Sequence, residues 1–284
     1  MAQLAFTKMH GIGNDYVYVD AFDQTVPDPA DLARRVSPRR TAVGSDGLIL
    51  IRRSAVADCR MEMYNADGSR GEMCGNGIRC VGKLVFDHGR VRSTAVSVET
   101  DAGIKHLQLH LDSLGKASSV TVDMGEPILD GPLIPVAAEG RVINDPLEVQ
   151  TPSGPQTYEV TCVSMGNPHC VVFLPEVASL PLESLGPCFE HHPFFPRRVN
   201  TEFIQVLKPD LLRMRVWERG SGETAACGTG ACAALVAAVL TGRSERRAVL
   251  RLNGGDLDIE WRADDNRVWM TGPAEEAFRG ELEI

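Results

Sequence analysis

Cys74-Gly75-Asn76-Gly77 and Cys227-Gly228-Thr229-Gly230 are two copies of one short motif, set 153 residues apart (227 less 74). The same offset pairs Tyr64 with Trp217, Met61 with Met214, Arg60 with Arg213 and Gly13-Asn14 with Gly166-Asn167. A register held without a gap from Gly13 to Gly77 is the mark of a duplicated domain. The expected architecture is α+β, in two structurally similar domains. Their expected bounds are 1–118 with 274–284 for the first and 119–273 for the second.

The bulk numbers agree with two ordinary domains. A length of 284 residues suggests about that number, and 43% apolar residues can fill two cores. A net charge of −9 disfavours a nucleic-acid partner. The basic pairs Arg34-Arg35, Arg39-Arg40 and Arg246-Arg247 are scattered among acids and read as solvated surface. Met1 to Lys8 has neither a charged n-region nor an apolar h-region. The longest apolar run, Ala231 to Leu240, is too short to span a bilayer. The expectation is a soluble, cytoplasmic protein with no membrane partner. Eight cysteines contain no C-x-x-C pair, so free thiols are expected rather than structural zinc or a disulfide framework.

Most of the chain reads as short strands. Tyr16 to Asp20, Gly47 to Ile51, Val96 to Thr100 and Ile104 to Leu111 are β-rich or alternating, with Leu107, Leu109 and Leu111 on one face. Thr157 to Val163, Val171 to Leu174, Thr201 to Leu207 and Leu211 to Trp217 repeat the style. Ala248 to Leu252 and Leu257 to Trp261 predict a hairpin across Asn253-Gly254-Gly255. The two clearest helices follow the cysteine motifs, Gly77 to His88 before Gly89 and Gly230 to Leu240 before Gly242. The second is apolar on every face and must be wrapped by other structure. Each domain is therefore expected to be an antiparallel sheet or barrel around one central helix. Pro127 to Pro155 is expected to be irregular. Pro181 to Pro196 is expected to be a surface loop, in which His191-His192 lacks a third metal ligand.

In each copy of the motif a cysteine precedes a helix and is followed by Gly-x-Gly. The first amides and the dipole of a helix make an anion site there, and the same field favours a thiolate. The glycines allow close approach to a ligand. If the halves face each other, one thiolate removes a proton from a carbon and the other thiol delivers one to the opposite face. Amides at Gly75, Asn76, Gly228 and Thr229 would stabilise charge on an adjacent carboxylate. This is the requirement of a racemase or epimerase. The repeat also aligns Asn14 with Asn167, Asn65 with Glu218 and Gly47 with Asn200, and Arg219 follows Glu218. Asparagine beside glycine is often only a turn former; the repetition is what makes these residues candidates.

The blocks around these residues resemble the diaminopimelate epimerase family over nearly the whole chain. They are Lys8-Met-His-Gly-Ile-Gly-Asn-Asp15, Asn65 to Arg79, Gly166-Asn-Pro-His169, Arg198-Val-Asn-Thr-Glu202 and Glu218 to Gly230. The resemblance implies cofactor-independent interconversion of LL- and meso-diaminopimelate, in lysine and cell-wall precursor synthesis. It implies Cys74 and Cys227 as the acid/base pair, with Asn65 and Glu218 at the amine of the reacting centre. Asn14, Asn167, Asn200 and Arg219 would hold the distal centre, and His169 would support the site. Gly47 departs from members that place a glutamine there. No metal or other cofactor is implied, and a homodimer is the expected assembly.

Other readings share parts of this pattern. Proline racemases and hydroxyproline epimerases use two thiols, but their substrates lack a distal amino-acid centre for the asparagine set and Arg219. Phenazine-biosynthesis-like isomerases share the fold without the cysteine pair. A non-catalytic amino-acid-binding protein would bind without exchanging an α-proton.

Overall fold

Strands dominate the computed structural model, which describes residues 3–283. The chain divides into two units, one running up to Asp123 and resuming at Thr271, the other spanning Met124–Met270. In the first, β1 (Gln3–Gly11) and β2 (Asn14–Asp20) form an antiparallel hairpin with Gly11 opposite Asn14. Its two central residues, Ile12 and Gly13, hold φ of 50° and 88°, as a tight I′ turn demands. Helix α1 (Pro29–Val36) leads to β3 (Gly47–Arg52), which runs parallel to β2 and antiparallel to β4 (Cys59–Asn65). A short β5 (Arg70–Gly71) turns back on β4 and delivers the chain to helix α2 (Gly75–Asp87). β6 (Ala95–Thr100) lies parallel to β4, and β7 (Gly103–Leu111) and β8 (Ala117–Gly125) continue antiparallel.

The second unit repeats this order. It contains β9 (Asp145–Thr151), β10 (Gly154–Ser164), β11 (Pro168–Phe173), α3 (Leu182–Glu190), β12 (Asn200–Lys208), β13 (Leu211–Glu218), β14 (Gly222–Glu223), α4 (Gly228–Leu240), β15 (Arg247–Leu252) and β16 (Gly255–Trp261). β17 (Val268–Pro273) then takes the chain back towards the first unit, where β18 (Glu275–Glu283) pairs antiparallel with β1. β11 with β12 and β13 with β15 are parallel, as are β2 with β3 and β4 with β6. Strand pairing within each unit is thus mixed rather than wholly antiparallel. α2 and α4 correspond residue for residue at the motif offset.

Those two helices are the centres of their units. α2 packs on β1, β2, β6 and β7, and α4 on β10, β11, β12, β15 and β16. Every residue from Ala231 to Ala238 is fully buried, which is why that helix carries no polar face. Gly89 and Gly242 follow the helix ends with φ of 71° and 67°, the left-handed conformation that glycine adopts without a Cβ clash.

Three expectations needed correction. Pro181 to Pro196 is not simply a loop, because α3 occupies its first part. Phe189 of α3 is fully buried, edge-on to Tyr158 at 5.1 Å and to Phe203 at 5.4 Å. The Gly186-Pro187 pair disguises this helix, and packing requires the glycine: a Cβ there would stand 2.2 Å from the Trp217 ring. Pro127 to Pro155 contains strand β9 and the 3₁₀ turn Gly131–Leu133. Leu111 leaves the face shared by Leu107 and Leu109, because the register shifts between His110 and Leu111, and it is exposed.

Phe189→Ala should cost about 3–5 kcal/mol, the usual loss for emptying a buried aromatic site. Urea unfolding measures it; a loss below about 1 kcal/mol would place Phe189 outside the core.

Candidate active site

Cys74 caps α2 in an extended conformation, with φ −131° and ψ 118°. Its Sγ accepts from the Gly77 amide at 3.3 Å, and the thiol donates to Asn14 Oδ1 at 3.3 Å. Asn14 is oriented by a charged cluster behind it. Its Nδ2 donates to Asp46 at 2.8 Å, and Arg39 clamps Asp46 and Asp15 at 2.6 and 2.7 Å. Because a carboxylate accepts only, the Asn14 amide oxygen must face the cysteine. Asn65, at the end of β4, donates to Ser69 Oγ at 2.9 Å and stands opposite Gly47 across the ladder. Gly47 has no space for a side chain, since a Cβ would lie 2.0 Å from the Tyr64 carbonyl oxygen. Gly75 and Asn76 form the first turn of α2. The Asn76 side chain points inward, accepting from the fully buried Arg79 at 3.0 Å.

The second unit has its own half-site. Cys227 caps α4 with φ −125° and ψ 108°, its Sγ lying 3.6 Å from Thr229 Oγ1. Cys227 is 5% exposed, whereas Cys74 is only half-buried. Burial first, and the acidic side chains of Glu218 and Glu202 second, push the Cys227 thiol well above the ordinary cysteine range. This reverses the expectation that the helix field lowers it: loss of water beside two acids outweighs the partial charge of a helix end.

Glu218, at the end of β13, accepts from Thr224 Oγ1 at 2.5 Å. Arg219 follows it on the surface, its backbone amide donating to Asn200 Oδ1 at 3.0 Å and its Nη1 to the Arg197 carbonyl at 3.2 Å. Asn200 is 2% exposed, and its Nδ2 donates to the Pro168 carbonyl at 3.3 Å. Asn200 therefore ties the Arg219 turn to the β11 entry through backbone groups. His169 is fully buried between Glu202 Oε1, 2.7 Å from Nδ1, and Asn167 Oδ1, 2.9 Å from Nε2.

Each unit thus assembles its own share of the candidate residues. Asn14, Gly47, Asn65, Cys74, Gly75 and Asn76 belong to the first; Asn167, His169, Asn200, Glu218, Arg219, Cys227, Gly228 and Thr229 belong to the second. Two further acids escaped the sequence reading. Glu190 accepts from Trp217 Nε1 at 2.8 Å and the Gly220 amide at 2.9 Å, holding the turn after Arg219. Burial pushes its carboxyl up, but these donors outweigh that and hold it below the ordinary range. Glu202 is the other. Its signal was a break in the repeat, which puts Ile49 at the matching position. Among the described residues, no group of three or more His, Cys, Asp or Glu is placed to hold a metal ion.

The family model described as diaminopimelate epimerase matches residues 6–129 and 161–276. The chain belongs to the diaminopimelate epimerase family. It is 54% identical over 282 residues to the diaminopimelate epimerase of Acetivibrio thermocellus, covering 99% of each chain. It is 50% identical over 281 residues to that of Methanococcus maripaludis, covering 99% of this chain and 100% of the relative. Solved structures show the same fold at much lower identity. A Bacillus anthracis phenazine biosynthesis protein of the PhzF family superposes with a TM-score of 0.68 at 16% identity, over 100% of both chains. A hydroxyproline epimerase from Agrobacterium vitis, with bound trans-4-hydroxy-L-proline, gives 0.69 at 16% identity over 99% of this chain and 91% of its own. The fold is therefore common to the family and to the two rival classes, and the sequence identity separates them.

Alkylation tests the state of Cys227. In the unliganded protein its rate with iodoacetamide should be low at neutral pH and still rising above about pH 8.5, the ordinary cysteine value. A rate that levels off below that pH would show a thiolate stabilised by the helix end.

Proposed function

We propose that this protein epimerises LL-2,6-diaminopimelate to meso-diaminopimelate with a cysteine thiolate and a cysteine thiol, without a cofactor, supplying lysine and peptidoglycan precursor synthesis. One observation carries the reading. Two cysteines cap the central helices of two repeated units, in a chain 54% identical to a diaminopimelate epimerase along its length.

In this reading both thiols act on one amino-acid centre. Cys74 as thiolate takes the α-proton: the C–H bond breaks, an S–H bond forms, and the electron pair passes to the α-carbon and its carboxylate. The first-turn amides of Gly75, Asn76, Gly228 and Thr229 stabilise that charge. Cys227, which burial keeps protonated, gives its proton to the opposite face. Asn65 and Glu218 hold the amine of the reacting centre. Asn14, Asn167, Asn200 and Arg219 hold the distal centre, Asn200 by fixing the Arg219 backbone. Gly47 contributes through its backbone, having no room for more. The two domains, 1–118 with 274–284 and 119–273, each supply one thiol. The eight free cysteines suit a cytoplasmic enzyme, and a homodimer is its proposed assembly.

Cys74→Ser and Cys227→Ser should each lower kcat by about 10²-fold or more, the scale of a lost acid or base; Cys59→Ser, in the core, should not. The mechanism itself is read in heavy water with LL-diaminopimelate. Early meso product should carry deuterium at the inverted carbon, while unreacted substrate stays largely protiated, because the delivering thiol has already exchanged with solvent. Substantial protium in early product would exclude two bases in favour of one that carries the original proton across. Turnover of proline or hydroxyproline in place of diaminopimelate would move the enzyme to the rival class.

A further inference from the structure

The two half-sites are built on equivalent positions but not on equivalent chemistry. In the first unit β2 and β3 contribute Tyr16 and Ile49; at the same positions of the second, β11 and β12 contribute His169 and Glu202. Ile49 presses on the start of α2, its Cδ1 2.8 Å from where a Gly77 Cβ would be. Glu202 presses on α4 in the same way, its Oε1 2.5 Å from where a Gly230 Cβ would be. An acid thus occupies a slot that the other half fills with hydrocarbon.

Glu202 and His169 are both fully buried. Asn167 Oδ1, as an amide oxygen, only accepts, so the His169 Nε2 facing it at 2.9 Å must donate. One proton then remains to be placed between His169 Nδ1 and Glu202 Oε1, 2.7 Å apart. Glu202 Oε2 has no hydrogen-bond partner among the described residues. A carboxylate with one oxygen unpaired in a dry interior loses the hydration of a full charge, whereas a neutral acid leaves only a carbonyl-type acceptor unmet. Burial pushes the Glu202 carboxyl above its ordinary value, and the opposing pull of His169 does not cancel that rise.

We propose that Glu202 is a positioning residue: as a protonated acid it donates to His169 Nδ1, fixes the Nε2–H tautomer, and so turns Asn167 with its amide N–H group, not its oxygen, towards the ligand. The two aligned asparagines then do opposite work. Asn14 spends its N–H group on Asp46 and shows its oxygen to Cys74. Asn167 gives its oxygen to His169 and keeps its donors for an anionic group such as a carboxylate. The ligand side of this inference rests on the epimerase reading; the tautomer does not.

The test uses the full-length protein labelled with ¹⁵N in its histidine rings, with the His169 signals assigned through a His169→Gln variant. The wild type should carry its ring proton on Nε2 alone. Glu202→Gln, whose amide can still donate to Nδ1, should keep that tautomer and hold KM for diaminopimelate within about twofold. Glu202→Ile, which copies the first half-site, removes the donor; the tautomers should mix and KM should rise about three- to tenfold, the worth of one hydrogen bond, with a smaller change in kcat. A proton on Nδ1 of wild type or Glu202→Gln overturns the proposal, as does a folded Glu202→Ile with unchanged tautomer and KM. If Glu202→Ile fails to fold, as circular dichroism would show, the other two proteins decide alone. Absence of diaminopimelate turnover in the wild type would sink the substrate reading only, because the tautomer is read without substrate.

Discussion

The constraint shared by both units is the approach of a strand side chain to the third residue of each central helix. Gly77 and Gly230 occupy that position, and neither has space for a Cβ. Their glycine hydrogens leave room for the Ile49 side chain of β3 and the Glu202 side chain of β12 against the helix starts. The same contact fixes the capping cysteine one turn back: a Gly77 Cβ would be 3.4 Å from Cys74 Cβ, and a Gly230 Cβ 3.2 Å from Cys227 Sγ. Packing and chemistry therefore meet at one residue in each unit. A methyl group there would displace both the strand and the thiol.

The repeat made the fold readable because it multiplied weak signals. One Cys-Gly-x-Gly stretch is compatible with an ordinary turn, but two in register with flanking Tyr64/Trp217 and Met61/Met214 required two similar units around two helices. Both helices lie where the motif put them, starting two residues earlier at Gly75 and Gly228. What escaped notice was structure whose local signals conflict. α3 contains Gly186 and Pro187, and only the Trp217 ring against Gly186 explains why the helix tolerates them. α1 was not anticipated either, although Asp28 caps it, accepting from the Asp31 amide at 2.9 Å, and Pro29 opens it. Its eight residues were too few to stand out by period.

The site was legible in its chemistry and less so in its electrostatics. Sequence spacing places a cysteine at a helix N-terminus, and from that alone a lowered thiol pKa follows. It does not give depth. Cys227 is nearly sealed, and burial there opposes the helix-end field that would favour a thiolate in water. Nor does spacing show when a polar side chain is already committed. Asn200 looks like a ligand contact in sequence, yet both ends of its amide hold backbone groups of neighbouring turns.

The proposed two-thiol chemistry also gives a reason for the halves to diverge. An epimerase acting through two thiols needs one to begin with a proton and the other without. Two identical half-sites would give the cysteines identical environments and no reason to hold different numbers of protons. Divergence at the positions of Tyr16/His169 and Ile49/Glu202 breaks that equivalence beneath the helix ends while the backbone repeats. Cys74, half-buried, faces an asparagine oxygen held by a charged cluster. Cys227, buried, faces acids and a hydroxyl. Many residues differ between the two strand pairs, but the repeated backbone still places a cysteine at each helix end. Only their proton affinities remain to be separated, and unequal burial does that: loss of hydration penalises a thiolate at Cys227 more than at the half-buried Cys74.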